Sequence, residues 1–236
     1  NFLVLIKRML KSGVVTEGVH TRTECGTPQG GIISPILANI YLHYVLDLWF
    51  EKKCKPTLRG YAGIIRYADD FVIGVQYRQE ADKIVQDIGQ RFAHFGLTLA
   101  EDKTRLLEFG RFANENRNAH GRGKPHTFDF LGFTHYCSQT RDGRFAIKVK
   151  TSRKKFTAAV KREKLWLKAV KNRVPLPKIW STLASKLRGH YEYYGVSGNF
   201  EGIKRYDEQV LRLTYKWMNR RSQKKTWNWE TFRDYL

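Results

Sequence analysis

The sequence predicts an α+β region followed by an all-helical region, and three observations lead there. Up to about residue 150, short β-branched and aromatic runs alternate with amphipathic stretches. A period of two marks a half-buried strand and a period of 3.6 a helix. From Ser152 onward only the helical period remains. The charge changes as well: residues 1–100 hold 12 basic and 9 acidic side chains, whereas residues 151–236 hold 21 and 7. These shifts place the expected domain boundary between 1–150 and 151–236.

The elements follow in order. Asn1 to Gly13 reads as the end of a helix, with Leu3, Ile6 and Leu10 on one face and Gly13 as its stop. Residues 14–31 are turn-rich. Ser34 followed by Pro35 predicts an N-cap and first helical position, and the helix is expected to reach about Lys53. Its apolar face is read as Leu37, Ile40, Tyr41, Tyr44, Leu48 and Trp49. Gly63 to Tyr67 and Phe71 to Val75 predict a hairpin, with Ala68, Asp69 and Asp70 at the turn. Gln79 to Phe95 predicts an amphipathic helix ended by Gly96. Leu97 to Ala100 and Arg105 to Phe109 read as strands, and the nearly apolar-free stretch from Arg111 to His126 as a mobile loop. Thr127 to Tyr136 and Arg144 to Lys150 predict a further strand pair turning at Arg141 to Gly143. Helices are expected at about 152–171, 176–194 and 199–221, the second opened by Pro175 and Pro177.

Composition bounds the function. Of 236 residues, 42% are hydrophobic, enough for a packed core and against disorder. Apolar runs are too short for the ~20 residues that cross a bilayer, so no membrane partner is expected. Asn1 to Leu10 contains Lys7 and Arg8 and is too brief for a leader. Cys25, Cys54 and Cys137 are odd in number and lack metal-ligand spacing, which fits a reduced, cytoplasmic protein. The net charge of +21 favours a polyanion. Because the excess lies in the helical region among Trp and Tyr, nucleic acid is the expected partner. Its first helix is crowded by Arg153, Lys154, Lys155, Lys161, Arg162 and Lys164, several of which must face outward together; Arg220, Arg221, Lys224 and Lys225 form a second cluster.

The acidic hairpin carries the chemistry. Transfer of a nucleotide from a triphosphate needs charge neutralisation and in-line positioning, which two divalent ions supply when carboxylates hold them rigidly. At a turn the backbone rotates, so Asp69 and Asp70 can approach one site although neighbours on a strand diverge. Alone, such a pair is commonly a turn-former.

The flanking residues are more specific. Gly26 to Leu42 (GTPQGGIISPILANIYL) resembles the nucleotide- and template-contacting segment of group II intron reverse transcriptases. Arg66 to Phe71 (RYADDF) resembles their catalytic hairpin, with one helix between the two motifs. Gly96 to Thr104 (GLTLAEDKT) is similar to the following motif, and Phe130 to Phe133 (FLGF) to the primer grip. Gly189 to Gly195 (GHYEYYG) and Trp217 to Arg221 (WMNRR) resemble the intron-maturase thumb. The likeness runs in order over nearly the whole chain.

That resemblance implies a polymerase palm fragment, antiparallel strands with packed helices, followed by a three-helix thumb. It implies Mg²⁺ at a two-ion site, with Asp69 a direct ligand and Asp70 a second ligand or a support for the primer end. Gln29, Gly30 and Gly31 would form a backbone wall beside the incoming nucleotide and template, where a Cβ would collide; as plain residues they would make a turn before the helix. Lys103 would offset triphosphate charge or protonate pyrophosphate, or else is an exposed loop lysine. Leu131, Gly132 and Phe133 would bear on the primer backbone, form a core strand, or both. Tyr67 and Phe71 are expected to pack, as are Leu183, Leu187, Tyr191 and Tyr194.

The implied partners are an RNA template, a DNA primer, deoxynucleoside triphosphates and group II intron RNA, and the implied location is the bacterial cytoplasm. Two departures qualify this. A third metal-binding aspartate belongs on a strand before the first long helix, and Asp47, within that helix, is not expected to replace it. The chain starts mid-helix without methionine, as expected of a segment lacking the fingers, so these residues alone are expected not to extend a primer. The competing readings are a splicing cofactor that binds intron RNA without chemistry, and a reverse transcriptase of a defence or CRISPR-linked system.

Overall fold

The computed structural model describes residues 1–11, 14–16, 19–21, 33–222 and 227–235, of which 14–16, 19–21 and 235 by their backbone alone. Gln29, Gly30, Gly31, Cys25, Lys224 and Lys225 lie outside the described residues. The chain divides into two compact units, Asn1–Leu106 and Leu107–Leu236.

In the first unit, helix α1 (Phe2–Leu10) precedes a short antiparallel pair, β1 (Val14–Thr16) and β2 (Val19–Thr21). Helix α2 (Ser34–Leu42) begins with Pro35 in its first turn, but Ile33 stands at the N-cap and no side chain caps it, so Ser34 is not the cap expected. The helix continues through two wide π turns, His43–Asp47 and Phe50–Cys54, to a 3₁₀ turn at Lys55–Thr57. A π turn holds an extra residue, so a face read at 3.6 residues per turn does not carry across it. Of the expected core face, Trp49 packs on the core whereas Ile40, Tyr41 and Tyr44 are exposed, and within the π turns Val45, Leu46, Phe50 and Cys54 are buried.

Strands β3 (Ala62–Tyr67) and β4 (Asp70–Val75) form the expected antiparallel hairpin, closed by the pair Tyr67 and Asp70. Alternation sends Ala62, Ile64, Phe71, Ile73 and Val75 to one face. That face packs on Val45, Leu46 and Phe50, and on Ile84, Ile88 and Phe92 of α3 (Arg78–His94). Each such side chain contributes roughly 1.5–3 kcal/mol by leaving water. Glu80 at the start of α3 is buried because its carboxylate accepts the Arg59 amide (2.7 Å), which fastens the approach to β3. Gly96 ends α3 at φ +67, a conformation open to glycine. The strands expected at 97–100 and 105–109 are absent: the first stretch leads into a turn at 101–103, and neither finds a ladder partner.

The second unit opens where a mobile loop was expected, and the structure corrects that reading. Helix α4 (Ala113–Ala119) occupies the segment, and Arg117 donates to the carbonyls of Arg122 (2.6 Å) and Lys124 (2.8 Å) while pairing with Glu108. A polar segment without apolar periodicity is thus ordered by one guanidinium. A three-stranded antiparallel sheet follows: β5 (Phe128–Phe130), β6 (Phe133–Gln139) and β7 (Phe145–Thr151). The single strand expected over 127–136 is folded in two at Leu131 and Gly132.

The helical period starts where expected, with α5 (Arg153–Val170), α6 (Leu176–Tyr194) and α7 (Phe200–Met218). Ala159, Leu183, Tyr206 and Val210 form one core cluster, and Leu167, Ile179, Trp217 and Met218 another. A fourth, short helix, α8 (Trp229–Tyr235), escaped the sequence reading; it buries Phe232 beside Trp180, Tyr215 and Trp227. The compact units part at 106/107 although the periodicity changes at 151/152, because β7 is tied to the helices. Buried Asn199 accepts the Thr151 amide (2.8 Å) and donates to the Thr151 hydroxyl (2.8 Å) and the Tyr194 carbonyl (2.8 Å). Sheet and helices therefore share one unit.

Candidate active site and nucleic-acid face

The hairpin presents both acids to solvent. Phe71 turns inward, its ring edge-on to Phe92 with centroids 6.1 Å apart. Its strand neighbour Asp70 is therefore on the opposite, open face. Asp69 sits in the two-residue loop with Ala68, and both acids are exposed. Among the described residues neither carboxylate makes a hydrogen bond or an ion pair. Tyr67, expected to pack, is instead 66% exposed beside them. Ala68 adopts φ +53, a left-handed conformation that costs a non-glycine residue on the order of 1–2 kcal/mol.

One side chain fastens this loop. Arg66 donates from Nε to Asp47 Oδ1 (2.8 Å) and from Nη2 to Asp47 Oδ2 (2.6 Å). Its Nη1 donates to Asn39 Oδ1 (2.8 Å) and to the Ala68 carbonyl (2.8 Å). The Arg66 guanidinium, foremost by its hydrogen bond, holds the Asp47 carboxyl below its usual range. Asp47 had no role in the sequence reading; a lone acid inside a helix signals nothing about a partner 19 residues away.

Two exposed, unpaired carboxylates on a tight hairpin suit a hard divalent cation, which takes oxygen ligands. Among the described residues no group of three metal-ligating side chains gathers anywhere, so the pair stands without a third acid. Lys103 lies exposed on the turn at 101–103, its amide donating to the Ala100 carbonyl (3.0 Å).

In the second unit, the FLGF segment is a tight hairpin loop. Leu131 (φ +50) and Gly132 (φ +80) bridge the Phe130 and Phe133 pair, the two positive φ values that a type I′ turn requires. Both loop carbonyls are held: Tyr193 donates its hydroxyl to Leu131 O (3.0 Å), and the Ser152 amide donates to Gly132 O (2.9 Å). Phe133 stacks on Tyr193 and meets Tyr194 edge-on, with centroids 6.0 and 5.3 Å apart. A Cβ on Gly132 would lie 3.0 Å from the Tyr194 hydroxyl. Two motifs about sixty residues apart in sequence thus form one structure.

The basic side chains of α5 sort by face. Arg153, Lys154, Lys155, Lys161, Arg162 and Lys164 are all exposed. At ~100° per residue, Arg153, Lys154, Lys161 and Lys164 share an arc of about 100° with Lys168, opposite the buried line of Ala159, Glu163 and Leu167. Lys155 and Arg162 flank that buried line. Arg220 is exposed and lies over the Trp217 ring, whereas half-buried Arg221 donates to the Val174 carbonyl (3.2 Å) and so has an internal task. Leu183 is buried, and Leu187 and Tyr191 pack against the same cluster, as expected. Buried Glu163 pairs with Lys186 across the helices (3.1 Å).

His190 is buried against Tyr206, the rings stacked with centroids 3.5 Å apart, and its Nε2 has no hydrogen-bond partner among the described residues. Burial, helped by the Arg162 charge, pushes its pKa down from 6.5 to about 4.

The chain is 29% identical to the group II intron-encoded protein LtrA of Lactococcus lactis subsp. cremoris, the match covering 42% of this chain and 26% of that protein. A 50-residue stretch is 55% identical to an uncharacterized 91 kDa protein in the cob intron of Schizosaccharomyces pombe, covering 21% of this chain and 6% of that one. Protein YkfC of Escherichia coli is 30% identical over 44% of this chain and 35% of its own length. The chain therefore corresponds to about a quarter of LtrA and to about a third of YkfC. The family model described as reverse transcriptase (RNA-dependent DNA polymerase) matches residues 2–135, more than half of the chain, and the chain belongs to that family.

Proposed function

We propose that this chain is the palm and thumb portion of a group II intron reverse transcriptase, an RNA-directed DNA polymerase that also grips intron RNA. The observation that carries the reading is the pair Asp69 and Asp70, exposed and, among the described residues, unpaired on a hairpin whose opposite face is anchored in the core. A carboxylate pair that makes no ion pair among the described residues of so basic a chain is suited to a cation rather than to folding. Asp69 and Asp70 would hold Mg²⁺, which when bound supplies charge neutralisation at the reacting phosphate.

The other residues of the chain bind and position. Gln29, Gly30 and Gly31 are assigned to the nucleotide and template, Lys103 to the triphosphate, and the Leu131 to Phe133 turn to the primer backbone. The palm role covers residues 1–150 and the thumb role 151–236. The exposed basic arc of α5 would neutralise phosphates, and RNA is recognised largely through phosphates, 2′-hydroxyls and shape. No described helix is long and apolar enough to cross a membrane, and a bacterial cytoplasmic location is part of the proposal.

The test is primer extension on an RNA template by the full reading frame that encodes this chain. Magnesium-dependent synthesis that Asp69→Ala removes, with binding to a group II intron retained, supports the proposal. Intron binding without any synthesis would favour the splicing-cofactor reading. Synthesis untouched by Asp69→Ala would refute the assignment of the hairpin.

A further inference from the structure

We infer that Arg66 is the positioning residue of the acidic hairpin: through the Ala68 carbonyl it sets the direction in which Asp69 presents its carboxylate to a divalent cation. The inference rests on the proposed metal-binding role of Asp69 and Asp70.

The Ala68 carbonyl belongs to the rigid peptide plane that joins Ala68 to Asp69. Fixing that oxygen fixes the plane from which Asp69 departs. Ala68 holds a left-handed φ that its own side chain disfavours, so the loop keeps this shape only where surrounding contacts enforce it. Arg66 Nη1 is the contact described there, 2.8 Å from the carbonyl. The guanidinium is itself held at three further points, because Asp47 takes Nε and Nη2 in a two-point pair and Asn39 takes the second Nη1 proton. Its side chain is only 12% exposed.

The choice of partner matters as much as the bond. An unpaired arginine beside two carboxylates would compete with a cation for them. Asp47 absorbs that charge, and four of the five N–H groups of Arg66 are directed to Asp47, Asn39 and Ala68, none to Asp69 or Asp70. The guanidinium therefore acts on the site through geometry and leaves the acids free. A bidentate arginine pair has a planar, two-point geometry that lysine cannot reproduce.

The test is Mn²⁺ titration of the isotopically labelled chain, reading paramagnetic broadening of backbone amides. Wild type should broaden first at residues 68–71, and Asp69→Ala should lose that broadening. Arg66→Lys keeps the charge but loses the fork, and should raise the Mn²⁺ midpoint about tenfold, the size usual for groups that orient a ligand at one remove. Unchanged α3 resonances establish that the unit remains folded. If Arg66→Lys disturbs them, Asp47→Asn is read instead, and it too should raise the midpoint. Broadening in wild type with both variants within twofold of it overturns the positioning role and leaves the metal assignment standing. No broadening at 68–71 in wild type overturns the metal assignment, and this inference with it.

Discussion

Replacing Asn199 by alanine should uncouple the strand carrying Thr151 from the helices. The side chain is 1% exposed and makes three hydrogen bonds of 2.8 Å: it accepts from the Thr151 amide and donates to the Thr151 hydroxyl and the Tyr194 carbonyl. Each net bond contributes about 1 kcal/mol, and a buried group left without its partner costs about 1–3 kcal/mol. The Thr151 amide and the Tyr194 carbonyl would both be stranded, so the destabilisation is about 3 kcal/mol. Five of the six tryptophans (Trp166, Trp180, Trp217, Trp227 and Trp229) lie in the second unit, so fluorescence during urea unfolding reports mainly on it. With a slope of about 1.5–3 kcal/mol per molar urea, the midpoint should fall by about 1–2 M. Asn199→Asp keeps only the acceptor and should also destabilise. A midpoint shift below about 0.3 M for Asn199→Ala would refute the claim that this residue ties sheet to helices.

Three further outcomes follow from the same structure. The pKa of His190 is lowered on folding from 6.5 to about 4, so the unfolded chain takes up its proton first as pH falls. Stability is then fully present above pH 6.5 and declines toward pH 4, by about 2 kcal/mol between pH 6.5 and 5; His190→Phe should flatten that part of a urea-midpoint profile. On α5, the joint change of Lys154, Lys161 and Lys164 to glutamine should weaken RNA binding and make the slope of log affinity against log salt shallower, by about 0.7–0.9 for each phosphate no longer neutralised. An unchanged slope would remove this face from the interface. Gly132→Ala adds a Cβ at φ +80 and 3.0 Å from the Tyr194 hydroxyl; thermal melting should show a destabilisation on the order of 1–3 kcal/mol, and an unaltered melting temperature would contradict the tight turn.

Local pattern went a long way in this chain. The hairpin around Asp69 and Asp70, helix α3 and the helices α5 to α7 were legible, because alternation and the 3.6-residue period record which side of an element meets the core. Glycine and proline punctuation placed several boundaries within a residue or two, as at Pro175 and Gly96. Where the helical period itself changed, the reading held only in part: Trp49 packs on the core as expected, but across the π turns of the first long helix the buried positions are Val45, Leu46 and Phe50. The same holds where apolar periodicity is lacking, since α4 and its loop are organised by the hydrogen bonds of Arg117.

What residue order could not supply is the pairing of distant polar groups. That Asp47 belongs to Arg66, that Asn199 closes on Thr151, and that Tyr193 reaches the Leu131 carbonyl were decided only when the chain folded. A hydrogen bond leaves no periodic trace along the backbone: its partners are chosen by where packing of the apolar faces happens to bring them. The acids and Arg66 were visible as letters, and the contacts of that arginine with Asp47, Asn39 and the Ala68 carbonyl only in the fold.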